Sequence, residues 1–395
     1  MKNSRSLLTR SLMAAAIVSV LSLSGCASVK NIFGKKEVDA HAPVALVALN
    51  PTAAVTRAWS ASVGKGEDSI GARQGPSSDG NFVYAAGVTS GVRALDLQTG
   101  RTVWTHASKS RLSGGPGVGE GVVVVGGLDG EVIALDATTG ALKWSQKVSN
   151  EVIATPTVGQ GLALIRSNDG RLTAFDLQTG ERRWFTAHDM PALTVRGNDA
   201  ATLGPGVAFV GNDDGTMSAL VLSNGQVVFD APVGEPIGRT DLERLADVDG
   251  SPVLDGSTLY ATSFKNSTLA MDGPSGRVLW TSEHGGVGRA APAANALIVA
   301  DSQGIVWGLD KSTGTAIWKN EQLKNRRLYS PVVHGNYVAV GDVEGYVHWL
   351  RLDDGALAGR AKLSKAPIKS NPIVVNDLLL VQDTAGNVSA FRVGQ

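Results

Sequence analysis

From about residue 57 onward, apolar and polar positions alternate in short runs, each stopped by a turn, with none of the spacing that builds an amphipathic helix. Such runs place successive side chains on opposite faces of a strand. The Asp-Gly and Thr-Gly pairs between them supply the positive φ that tight hairpins require. The runs recur as one unit: Asp-Gly, a strand ending Ala-Leu-Asp or a close variant, a turn ending in Gly, then Trp. The clearest copies run from Gly130 to Trp144, from Gly170 to Trp184 and from Gly304 to Trp318. Others end at Trp104 and Trp280, and degenerate ones carry Gly225 with Phe229 and Gly355 with Gly359.

Upstream in each unit a short residue plus Pro opens an apolar strand, at Pro76, Pro116, Pro156, Pro252, Pro292, Pro331 and Pro372, with Ala201 in the fourth place. Eight openings predict eight units of about 40 residues, each with four antiparallel strands, and such units packed radially are propeller blades. The eighth unit stops at Phe391-Arg392 before a Trp appears, while Arg57-Ala58-Trp59 matches the missing strand. Pairing that N-terminal strand into the last blade closes the ring and removes two open sheet edges. The expected fold is an all-β, eight-bladed propeller. The repeated Asp96, Asp136, Asp176, Asp272 and Asp310 are expected to cap turns. Trp104, Trp144, Trp184, Trp280 and Trp318 are expected to fill the gaps between blades.

With spacings so regular, variation collects in the connection from the Trp position of one blade to the Pro position of the next. It takes 12 residues from Trp104, Trp144 and Trp280, but 17 from Trp184 to Ala201 and 23 from Phe229 to Pro252. Connections of one type emerge at the same end of a propeller, so these two neighbours are expected to meet on one rim. The first, His188 to Arg196, mixes apolar residues with an arginine, and the second, Asp241 to Asp249, is acidic with two leucines. Apolar anchors ringed by charge suit a protein interface. The connection from Trp59 to Pro76 is also 17 residues long.

The N-terminus adds a second layer. Lys2, Arg5 and Arg10 precede an apolar stretch from Leu12 to Leu23 that is too short to span a bilayer, which predicts a signal peptide over residues 1–25. Leu23-Ser24-Gly25-Cys26 resembles the bacterial lipobox, which makes Cys26 the acylated first mature residue, and Ala27 after it implies sorting to the outer membrane. Residues 26–55 read as a tether and 56–395 as the propeller. Lys plus Arg balances Asp plus Glu at 36 each, so loss of the three signal-peptide cations leaves the mature chain near −3. That balance argues against nucleic acid, whose affinity rests on a basic face.

Catalytic chemistry is hard to place. The six His lack metal-ligand spacing and Cys26 is the single cysteine. Asp247-x-Asp249-Gly250 lacks the rest of a calcium loop, and no Ser sits in Gly-x-Ser-x-Gly. No cofactor, metal or enzymatic activity is expected.

The Ala-x-Asp-x-x-x-Gly-x-x-x-Trp repeat resembles that of quinoprotein-type propellers, which include PQQ-dependent alcohol dehydrogenases as well as non-catalytic members. With the lipobox, the tether and the stretches Leu242 to Asp249 (LERLADVD) and Gly341 to Trp349 (GDVEGYVHW), the chain is similar throughout to the BamB family. These are lipoproteins of the outer-membrane β-barrel assembly complex. The resemblance implies a scaffold docked on the periplasmic domains of BamA, with nascent outer-membrane proteins as further partners. It carries BamA binding onto Leu193, Val195, Arg196, Asp247 and Asp249. A PQQ-dependent dehydrogenase is the alternative, but those enzymes generally carry adjacent cysteines and calcium ligands. A sugar-binding lectin would need clustered exposed Trp.

Overall fold

The computed structural model describes residues 41–66, 73–195 and 199–394, so the signal peptide, Cys26 and Arg196 lie outside the described residues. From Pro43 onward the chain is one compact unit of eight four-stranded antiparallel sheets. Among the described residues every regular element is a strand.

Seven blades run consecutively along the chain, each ordered as its sequence is, from a short strand opened at the Pro position to an outer strand bearing the Trp position. The eighth is composite. Strand β1 (Ala54–Ser62) pairs antiparallel with β32 (Asn387–Gly394), with Trp59 opposite Ala390, in the order β1-β32-β31-β30, where β30 is Ile373–Val375 and β31 is Leu378–Gln382. The N-terminal strand thus occupies the outer place that the C-terminus leaves empty. Short first strands of successive blades lie against one another, for example Gly117–Gly119 against Thr157–Gly159, and they surround the central channel.

Middle strands are sandwiched between neighbouring blades and buried on both faces, which explains continuous apolar runs such as Val122 to Val125. The core is correspondingly divided into eight buried clusters, one per seam. Six of the eight seams are sealed from the outer strand by an indole. The indoles of Trp59, Trp104, Trp144, Trp184, Trp280 and Trp318 donate Nε1–H to a main-chain carbonyl of the next blade at 2.8–2.9 Å. Their rings also cover the turn glycine of that blade: a Cβ on Gly140, at φ 71°, would lie 2.6 Å from the Trp104 ring. Glycine is therefore required there twice, for the turn and for the contact. The turn Asp accepts the amide and hydroxyl of the residue three positions on, as Asp96 does from Thr99 and Asp136 from Thr139.

The compact unit begins earlier than the expected residue 56. Residues 43–53, read from the sequence as tether, lie along the seventh blade, where Thr52 and Ala53 donate to the Ala358 carbonyl. The Val44 and Val47 carbonyls accept from Arg326 at 2.8 Å and Arg360 at 3.1 Å. Arg326 is itself buried against Asp342, which also binds His348, so the Gly341 to Trp349 stretch anchors the incoming chain. The reason lies in the degenerate repeat. Gly359 stands where the Trp belongs, and Val55, Ala53 and the fully buried Trp349 take up that space.

Candidate partner-docking rim

The two long connections leave the fourth and third outer strands, β17 (Val227–Pro232) and β13 (Arg182–Ala187), at the same end of the propeller. They touch. The Val195 amide donates to Asp247 Oδ2 at 2.6 Å, tying the first connection to the second. Upstream, His188 donates its amide to Gly170 and its ring meets Asp214 at 2.8 Å.

The second connection folds in two parts. Thr240 and Glu243 form a reciprocal cap: Glu243 Oε2 accepts the Arg239 and Thr240 amides, and Thr240 Oγ1 accepts the Glu243 amide. This is the arrangement that a Thr-x-x-Glu spacing favours. One turn follows, closed by the Arg244 amide on the Thr240 carbonyl at 3.1 Å, with Asp241, Leu242, Glu243 and Arg244 all exposed. The chain then dives inward, and Leu245 to Gly250 are buried.

Asp247 and Asp249, expected from the resemblance at the partner interface, thus sit beneath it at 0% and 1% exposure. Asp249 meets Arg73, which comes from the opposite side of the channel, at 3.5 Å. A parallel cross-brace joins Asn371 to Asp199 at 2.8 Å. Burial, reinforced by neighbouring carboxylates, outweighs Arg73 and pushes the Asp249 carboxyl up to about 7, and burial pushes Asp247 up to about 6. Asp213, Asp247 and Asp249 offer oxygens within 4.8 Å of one another, a spacing open to a cation. Arg166 on Asp213 at 3.2 Å and Arg73 on Asp249 already supply positive charge there, so the group is a buried charge network rather than a metal cage.

What faces solvent mixes charge with apolar anchors. Leu193 is 43% exposed, Leu242 69% and Ile237 68%, and Met190 lies three residues before Leu193 on the first connection. Sequence reasoning singled out Leu193 but gave Ile237 no role, although it lies inside the longest connection.

Raised carboxyl values fix the sign of a pH effect. A group whose folded value lies above its unfolded one favours folding when protonated, so this network loses stability as pH rises from about 4 to 7. Asp247→Asn keeps an acceptor for Val195 without a charge. Its melting temperature is expected to exceed that of the wild type at about pH 8, and the difference to shrink as the pH falls and to vanish only below about pH 4, in thermal melts across that range.

The family model described as outer membrane protein assembly factor BamB matches residues 88–320. The assembly factor of that name from Xanthomonas campestris pv. campestris is 53% identical over 95% of this chain and 96% of its own. This chain belongs to the BamB family. The crystal structure of BamB from Moraxella catarrhalis superposes with a TM-score of 0.78 at 28% identity, covering 86% of this chain and 99% of that one. BamB relatives are named as assembly factors, not as enzymes. The quinohemoprotein alcohol dehydrogenase of Comamonas testosteroni shares only the fold, with a TM-score of 0.66 at 14% identity over 86% of this chain and 76% of that one.

Proposed function

We propose that this chain is a non-catalytic scaffold of the outer-membrane β-barrel assembly complex, held to the periplasmic face of the outer membrane by lipid on Cys26. Its double-connection rim docks onto the periplasmic domains of BamA. The observation that carries the reading is one rim with exposed Leu193, Ile237 and Leu242, held in shape from below by the Asp247 carboxylate on the Val195 amide. Exposed apolar anchors on a braced support bind at a lower ordering cost than mobile ones. In this reading Asp247 is a positioning residue, and its charge is dispensable.

Co-purification from detergent-solubilised membranes tests it. Wild type and Asp247→Asn are expected to retain BamA, whereas Asp247→Ala, which strips the acceptor from a buried amide, is expected to weaken capture about ten-fold. Equal loss in both variants would point to a direct charge contact. Capture unaffected by either would remove the rim from the interface.

A further inference from the structure

The seam between the fourth and fifth blades lacks its indole. Phe229 on β17 stands at the Trp position, and its ring covers Gly276 as the indoles cover their own turn glycines. A benzene ring has no N–H and is smaller than indole. The next blade is pared down too, since Gly273 holds the place that Leu97, Leu177, Leu222 or Lys311 fills elsewhere. Together these changes leave an apolar cavity of about 530 Å³ walled by Phe209, Val228, Phe229, Leu254, Gly273 and Pro274, within the range of ligand sites.

The cavity wall, which also includes Ser257, offers a main-chain acceptor at a telling place. At the six indole-bearing seams, the carbonyl one residue past the turn Asp position accepts the Trp Nε1–H. Here that carbonyl belongs to the buried Gly273, and among the described residues nothing donates to it. A carbonyl that lines an open cavity and has no protein donor is placed to accept from an incoming N–H. The seam between the seventh and eighth blades, which also lacks its Trp, differs because the N-terminal segment and Trp349 fill it.

We propose that this cavity receives the indole of a tryptophan from a partner polypeptide, seated as the chain seats its own indoles elsewhere and donating to Gly273. Six seams of the same propeller show the geometry. The source is a polypeptide rather than a small aromatic because the cavity opens beside Val228 on β17, the outermost strand of its sheet. An extended segment laid along that edge gains main-chain hydrogen bonds while its side chain enters the pocket. The mouth is formed by Gly204-Pro205 and Gly273-Pro274, turns at the end of the blades opposite the docking rim, so this site is separate from the surface proposed above.

A peptide copying Gly140–Lys147, which spans the outer strand of the second blade, carries Trp144 in strand context and serves as the probe. It is titrated by calorimetry against the folded protein, beside N-acetyltryptophanamide and the same peptide with Trp144→Ala. Saturable binding is expected for the Trp peptide, at least ten-fold weaker for the amide and absent for the Ala peptide. Phe229→Trp is expected to fill the cavity from within, raising the melting temperature by about 2–4 °C and abolishing peptide binding while leaving BamA capture intact. Val228→Lys, at an exposed position on the mouth, provides a second variant expected to lose the peptide. Failure of the wild type to bind, undiminished binding to Phe229→Trp, or an amide that binds as tightly as the peptide would each overturn the proposal.

Discussion

Trp59→Ala is expected to destabilise the propeller by about 3–5 kcal/mol, the cost of truncating a large buried aromatic. Trp59 is 7% exposed, covers Gly100 of the first blade and donates to the Leu97 carbonyl at 2.9 Å. Its position magnifies the loss. Strand β1 is held in its sheet by β32 alone, and it is the only strand contributed by the N-terminal side of that blade. Weakening it loosens the closure itself and presents unpaired edges, so aggregation on heating should increase as well. Phe185→Ala serves as the control, because Phe185 lies next to Trp184 on an outer strand but is 54% exposed, and it should change stability little. Urea and thermal unfolding of the two variants measure the contrast. Equal melting temperatures would mean that the ring does not depend on its N-terminal strand.

The second large effect belongs to the rim. The paired substitution Leu193→Asp with Leu242→Asp is expected to weaken BamA binding about a hundred-fold or more, since both side chains lie in solvent when free and would become buried unpaired charges when docked. The melting temperature should stay within a degree or two of the wild type, because neither residue belongs to a seam cluster. Surface plasmon resonance on the soluble chain, compared with a Val278→Asp and Leu279→Asp pair on the perimeter of the fifth blade, separates loss of the anchors from a general effect of added charge. The perimeter pair should bind as the wild type does.

Much of this architecture is legible in the sequence because the propeller is a local code repeated. A turn Asp acts on an amide three residues away, a turn Gly needs its φ, and Trp recurs at fixed spacing, so eight blades and a split eighth emerge from counting. The rim emerges likewise from connection lengths. What is hidden depends on partners far apart in the chain. Asp247 and Asp249 read as surface acids because the run from Leu245 to Asp249 has no period, and their burial follows from distant partners: Arg73 pairs with Asp249, the Phe264 amide donates to the Asp247 carbonyl, and the Asn212 carbonyl accepts the Val248 amide between them. The cross-brace of Asn371 to Asp199 is similarly silent in sequence. Two signals were present in the degenerate units. Gly359 marks where the N-terminal segment must pack, and Phe229 beside Gly273 marks where a seam is left open. Departures from a repeat carry more of the function here than the repeat itself, which agrees with a fold shared by enzymes and assembly factors alike.

Site-specific photo-crosslinking in living cells tests the docking rim most directly. A photoreactive amino acid placed at Leu193, Ile237 or Leu242 should yield crosslinks to BamA, and the same group at Pro205 or Ser257, at the opposite end of the blades, should yield none. Crosslinks to BamA from the opposite end, with none from the three rim positions, would contradict the account.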